Sequence, residues 1–494
     1  MKPETVERED DEQLAAMGHE PELKRNFSTL SMLGLAFAVL NSWTGLITAG
    51  ICNVCIAASL AEFLSAYPTA GGQYHWVAVS WPKWMPILAW ITGWINVAGW
   101  IALVATNVLL SSQLILGIIA CLHPEYESHS WHQFLLYIGL TMVVFTMNAF
   151  LNSLLPLVYR GAFLWSMGGF VVVSITVLAC ASPNYNSASF VFWGFNNATG
   201  WPDGVAWLLG LLQGGLGVTA FDAVVHMIEG IYAHCLGGGA LLMPPEIPQA
   251  ARQGPRIMVW SVCIGTMTGA MFLAILLLVS GDIQDVIASP AGPLLQILLD
   301  ATHSRVGAIC LLMLPLVCLF FATLSAMTIS SRMVFAFARD RGLPWSRVLA
   351  RVDVRLGLPL NALALTCVVV ILFGMIFLAS TSAFNAIMSA SIVALNLSYA
   401  MPIAVNCAQG RKVLAQASWR LPAWLGWTAD AIALCYVLLT TVLFLFPPKL
   451  PVTGTNMNYC IGAFVIIVMV SVLQWLMDGR KHFTGPLVNV TRPS

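Results

Sequence analysis

Residues 305–331 read Arg305-Val-Gly-Ala-Ile-Cys-Leu-Leu-Met-Leu-Pro-Leu-Val-Cys-Leu-Phe-Phe-Ala-Thr-Leu-Ser-Ala-Met-Thr-Ile-Ser-Ser331. After the arginine, no charge appears for longer than the roughly twenty residues that an α-helix needs to cross a bilayer. Similar apolar runs lie at 84–121, 132–153, 161–181, 204–226, 257–279, 358–379, 383–406, 424–446 and 459–477. The whole chain of 494 residues is 59% hydrophobic and 9% charged, far more apolar surface than one soluble core can hide. The pattern predicts an all-α integral membrane protein of about 11–12 helices, with the lipid bilayer as its solvent.

Charge sets the orientation. With 22 basic and 22 acidic residues the net charge is zero, so nothing points to nucleic acid. Assigning each Lys and Arg to a loop places all but Arg305 and Lys449 on one set of alternate segments. By the positive-inside rule that set is cytoplasmic, and both termini with it. The expected organisation is a cytoplasmic tail over 1–27, a membrane domain over 28–480 and a cytoplasmic tail over 481–494. The first 25 residues are polar and acidic, without the apolar core of a signal peptide. The sequon at Asn197 would then face outward. The composition suits a plasma membrane, and a vacuolar membrane equally.

Most of the 12 cysteines sit within apolar runs, where Cys acts as a small hydrophobe, and Cys52-x-x-Cys55 has no second pair to complete a metal site. The sequence shows no phosphate loop, nucleophile elbow or zinc-binding helix, hence no catalytic residues, metal or cofactor are expected.

Two stretches depart from plain membrane helix. Gly34-Leu-Ala-Phe-Ala-Val-Leu-Asn41-Ser42-Trp43-Thr44 ends an apolar run in four groups able to hydrogen-bond or stack. Gly214-Gly215-Leu-Gly217-Val218-Thr219-Ala-Phe221-Asp222 weakens its helix with three glycines before a carboxylate. Small residues also serve close helix packing, so the glycines alone do not decide between the two roles. Asp222, His226 and Glu229 recur at spacings of four and three and share a face; charges within a span mark a pathway, a relay or a pairing, while wetting at the cytoplasmic end is the other reading for the latter two. Asn96 and Trp100, and Ser382 and Asn385, read chiefly as residues that bridge helices.

At these residues the chain resembles the fungal amino acid/choline permeases of the amino acid–polyamine–organocation superfamily. The resemblance rests on Asn26 to Thr44, on Ala57-Ala-Ser-Leu-Ala-Glu-Phe-Leu-Ser-Ala-Tyr-Pro-Thr-Ala-Gly-Gly-Gln-Tyr-His-Trp76, on Gly217 to Ala223 with His226-Met-Ile-Glu229, on Phe337-Ala-Arg-Asp-Arg-Gly-Leu-Pro344 and on Thr381-Ser-Ala-Phe-Asn-Ala386. It implies a five-plus-five inverted repeat with substrate held at breaks in the first and sixth helices. It also implies secondary transport of an amino acid, 4-aminobutyrate or choline, commonly with protons. Carried over by position, the ligands are Asn41, Ser42, Trp43 and Thr44, with Gly217, Val218, Thr219 and Phe221. Asp222, His226 and Glu229 are the proton-coupling candidates.

Two departures accompany the resemblance. About twenty residues, one span's worth, are missing after Thr44, which truncates the helix 1/2 region. Gly230 to Pro245 is an insertion that relatives lack. Skipped coding sequence and retained non-coding sequence would account for both. The alternative to a transporter is accordingly a permease-like sensor that does not transport, or an inactive product of mis-splicing.

Overall fold

The structure is a computed structural model. It describes residues 47–485 except 83–84, 124, 127–128, 194–199, 229–249, 282–285, 287–288, 290–291, 354, 380, 448–449, 453–458 and 484. Asn41 to Thr44, Glu229, the sequon, the insertion and both tails lie outside the described residues.

Backbone polar groups find no water inside a bilayer, so an apolar run of this length satisfies them by coiling. Ten helices among the described residues are long and apolar enough to cross a membrane. In chain order the elements are α1 (Ile47–Ala66), α2 (Gln73–Ser80), α3 (Met85–Leu122), α4 (Ser130–Phe150), α5 (Leu155–Ala181), α6 (Asp203–Leu216) and α7 (Ala223–His226). They continue with α8 (Ala250–Val279), α9 (Pro293–Thr302), α10 (Arg305–Arg339), α11 (Leu360–Ala379), α12 (Thr381–Ala408), α13 (Ala423–Leu443) and α14 (Cys460–Gln474). The described residues form no strand, only an isolated bridge between Asp353 and Leu358.

The structure revises the sequence reading in three places. The expected span 204–226 is two helices, α6 and α7, separated by six residues of irregular chain. The run expected to end at 331 continues as α10 to Arg339, because its charged end is buried against neighbours: Arg332 and Arg339 are 5% and 9% exposed. Ahead of the first apolar run read at 84–121, the last part of 28–66 forms a further span, α1.

Contacts at the helix ends sort the termini. The end of α1 meets the loop after α12 through Glu62 and Arg411, and Ser418 reaches Ala251 near the start of α8. Tyr74 meets Asp340 after α10, and Trp90 of α3 meets Trp475 beyond α14. These contacts gather the basic loops at one end of the bundle. At the other, Asn186 binds the end of α8, and Trp201 donates to Pro447 O. Outward faces stay apolar: Val465, Ile466, Met469 and Leu473 of α14 are all more than half exposed, a surface that only lipid solvates well.

Glycine serves close packing where α1 crosses α8. A Cβ built on Gly50 would lie 2.0 Å from Thr266 Cγ2. Gly50→Ala is therefore expected to destabilise the protein by about 1–3 kcal/mol through overpacking. The check is the thermal midpoint of detergent-purified protein, which should fall for Gly50→Ala and partly recover when Thr266→Ala is added.

Candidate functional site

Between α6 and α7 the chain leaves the helix at Leu216 and re-enters it at Ala223. Ala220, not a glycine, carries the unusual geometry, with φ of 70°. An L-residue held there costs roughly 1–3 kcal/mol, which the surrounding packing must overcome. Alanine is the smallest side chain to carry that cost. Thr219 Oγ1 donates to Gly215 O at 2.6 Å and so satisfies a carbonyl at the broken helix end. Gly215 itself serves packing, since a Cβ there would lie 2.7 Å from the Tyr436 hydroxyl. Val218, Thr219 and Phe221 are all buried, at 0%, 2% and 0% exposure. The residues of the break are therefore packed inside the bundle.

The carboxylate that follows is the centre of the site. Asp222 is fully buried, and four side chains from separate parts of the chain converge on it. Tyr399 Oη donates to Oδ1 at 2.6 Å. Gln73 Nε2 donates to Oδ2 at 2.8 Å, and Trp100 Nε1 to the same oxygen at 3.3 Å. His226 Nε2 also lies 3.2 Å from Oδ2, one turn along, as the spacing of four required. Each hydrogen bond to an ionised group stabilises by about 1.5–3 kcal/mol, enough together to offset the cost of burying the charge.

The network fixes its own orientation. Gln73 Oε1 accepts from Asn96 Nδ2 at 2.8 Å, so its amide nitrogen must be the atom facing Asp222. Asn96 Nδ2 also reaches Ser398 Oγ at 3.3 Å, tying α3 to α12. Asn96 Oδ1 is buried with no partner among the described residues, an acceptor available beside the carboxylate. Phe221 packs on Tyr399 with ring centroids 5.1 Å apart, and Trp100 meets His226 edge-on at 6.1 Å.

His226 carries the chemical content. Its Nδ1 lies 2.8 Å from Ala70 O, and a carbonyl can only accept, so Nδ1 bears a hydrogen. In the neutral tautomer Nε2 would then present a lone pair to the Asp222 carboxylate. The contact is attractive only when one more proton resides on the pair, either on the imidazole or on the carboxyl. Full burial keeps water from supplying a substitute partner. The pair is thus a buried carboxylate–imidazole contact beside the helix break, not a solvent-exposed end of the span.

Sequence reasoning brought Asp222 and His226 together correctly, and Asn96 and Trp100 do bridge helices as expected. It missed Gln73 and Tyr399. Gln73 stood in plain view as a buried amide in the Gly71-Gly72-Gln73-Tyr74-His75-Trp76 run, whereas Tyr399 offered only a hydroxyl in an apolar helix. The side chains of Ser382 and Asn385 lie outside the described residues.

Comparisons agree with this architecture. A profile of the amino acid permease family matches residues 26–472. The chain is 32% identical over 490 residues to a choline transporter of Saccharomyces cerevisiae, covering 94% of this chain and 83% of that protein. It is 28% identical over 518 residues to amino-acid permease BAT1 of Arabidopsis thaliana, covering 97% and 96% respectively. Amino-acid permease 2 of Neurospora crassa is 27% identical over 506 residues, covering 98% and 90%. With ten membrane-length helices, a helix broken beside a buried carboxylate, and a family match along nearly its whole length, this chain belongs to the amino acid permease family, in its amino acid/choline branch.

Proposed function

We propose that the protein is a proton-coupled secondary transporter of an amino acid, 4-aminobutyrate or choline. The observation that carries the reading is the fully buried contact of Asp222 with His226 beside the helix break, at 3.2 Å. Substrate would be held by Gly217, Val218, Thr219 and Phe221 together with Asn41, Ser42, Trp43 and Thr44. Helix ends and freed backbone groups at such a break favour a substrate carboxylate. For a quaternary ammonium, the faces of Trp43 and Phe221 provide cation–π attraction instead. Glu229 is the third proton-coupling candidate. The basic end of the bundle is the cytoplasmic one in our reading, with both termini there and the plasma membrane as the site of action.

The missing segment after Thr44 supports one competing reading, a permease-like sensor or inert product. A labelled panel of 4-aminobutyrate, choline, and neutral and basic amino acids, tested in permease-deficient cells, separates them. The comparison is between this chain and a version with the helix-one segment restored. Uptake by the restored form alone would mark this chain as the inactive variant. Uptake by both is expected if the shortened segment still completes the site.

Asp222→Asn in a transporting version removes the proton acceptor while keeping the shape. It is expected to abolish the stimulation of uptake by acid outside, and an unchanged pH profile would remove Asp222 from the coupling path. Tyr399→Phe tests the same site more gently. The variant removes one donor to Asp222 and keeps the ring, so uptake by a transporting version should fall less than with Asp222→Asn. The variant should also lose about 1.5–3 kcal/mol of stability, read as a lower thermal midpoint in detergent.

A further inference from the structure

A second buried charge cluster lies outside the site just described. Arg411 sits between two carboxylates, its Nη2 on Glu62 Oε2 of α1 and its Nη1 on Asp430 Oδ2 of α13. The side chains of Arg411, Glu62 and Asp430 are 4%, 0% and 3% exposed. Glu62 Oε1 also accepts the Leu421 backbone N–H at 2.9 Å, and Cys407 donates to Asp430 Oδ2 at 3.3 Å. The arginine is placed by a strained turn: Gly410 and Arg411 both adopt positive φ, 66° and 59°, where α12 ends.

The segment 411–421 that follows is bound to the end of α1 along its length. Tyr67 Oη donates to Val413 O at 3.4 Å, the Trp419 N–H donates to Ser65 Oγ at 2.8 Å, and the Ser65 and Ser418 hydroxyls are 3.0 Å apart. Ser418 Oγ reaches Ala251 O near the start of α8 at 3.3 Å. Helix packing shows what this segment joins. α1 packs most extensively on α8, whereas α3 packs on α10 and α12, so 411–421 strings the first pair to the end of the second group. It also grips the stretch that holds the proton pair. Trp76 Nε1 donates to Tyr67 O at 2.9 Å, Ala70 O meets His226, and Gln73 meets Asp222.

We infer that residues 411–421 form a latch, fastened to α1 by Arg411 between Glu62 and Asp430, and that this latch must release in each transport cycle to open the basic end of the bundle. The inference rests on the transport reading. Arg411 acts as a positioning residue, touching no substrate. A guanidinium fork suits that task because it holds two carboxylates at once in fixed geometry.

The test is a reversible crosslink in the full chain. Ser65→Cys with Ser418→Cys places two thiols across the latch, and copper phenanthroline closes them. Reduced, the double variant should take up substrate close to the rate of the unmodified chain. Oxidised, its uptake should fall by at least about tenfold, as when a required conformational step is blocked, and return with dithiothreitol. Each single variant, oxidised alongside, controls for the native cysteines. Undiminished uptake by the crosslinked protein would overturn the latch.

If the unmodified chain transports nothing, the transport reading has failed, and the fastening is then judged by labelling. Ser65 is 1% exposed beneath the segment, so Ser65→Cys should react slowly with a membrane-impermeant maleimide added to inside-out vesicles. Arg411→Gln should speed that reaction severalfold, with Arg411→Lys between, since lysine keeps the charge but loses the fork. Equal labelling in all three backgrounds would show that Arg411 does not hold the segment down.

Discussion

A carboxylate placed in the middle of a membrane protein must be neutralised or surrounded by donors, and Asp222 is surrounded. That requirement organises more of the molecule than any apolar contact does. It explains why the chain turns sharply at Gly72, whose φ is 57°, so that Gln73 can begin α2 beside the carboxylate. It explains an indole and a phenol in otherwise greasy helices, since Trp100 and Tyr399 each spend their one donor on Asp222. Even the strain at Ala220 serves it. The positive φ re-aims the chain so that Phe221 and Asp222 enter the core together, both fully buried.

The membrane makes some of this legible and hides the rest. Spans are easy to read because each must be apolar over a fixed length, and the expected boundaries of α3, α11 and α13 fall within a few residues of those observed. The Asp222–His226 contact follows from helical spacing alone. Gln73 and Tyr399 meet Asp222 across separations of 149 and 177 residues, and nothing periodic links such positions. Arg411 shows the opposite failure. Charge counting places it correctly at the basic end, but a count treats every loop arginine alike and cannot distinguish a solvated one from one buried between two acids. The glycines misled in a third way. They mark the region of the break, yet the left-handed residue is Ala220, because backbone conformation there is imposed by the packing of Phe221 and Asp222 and not by local freedom.

The same network that holds the site closed gives protonation a mechanical consequence. Hydrogen bonds to an ionised acceptor are roughly twice as strong as neutral ones. A proton settling on the Asp222 carboxyl would weaken the bonds from Tyr399, Gln73 and Trp100 at once, and these come from α12, α2 and α3. It would leave His226 neutral, with Nδ1 still on Ala70 and Nε2 accepting from the acid. A neutral carboxyl would thus hold α12, α2 and α3 less firmly, with the His226–Ala70 contact unchanged. Because one carboxyl gathers donors from three helices, the packing around the break turns on that single group.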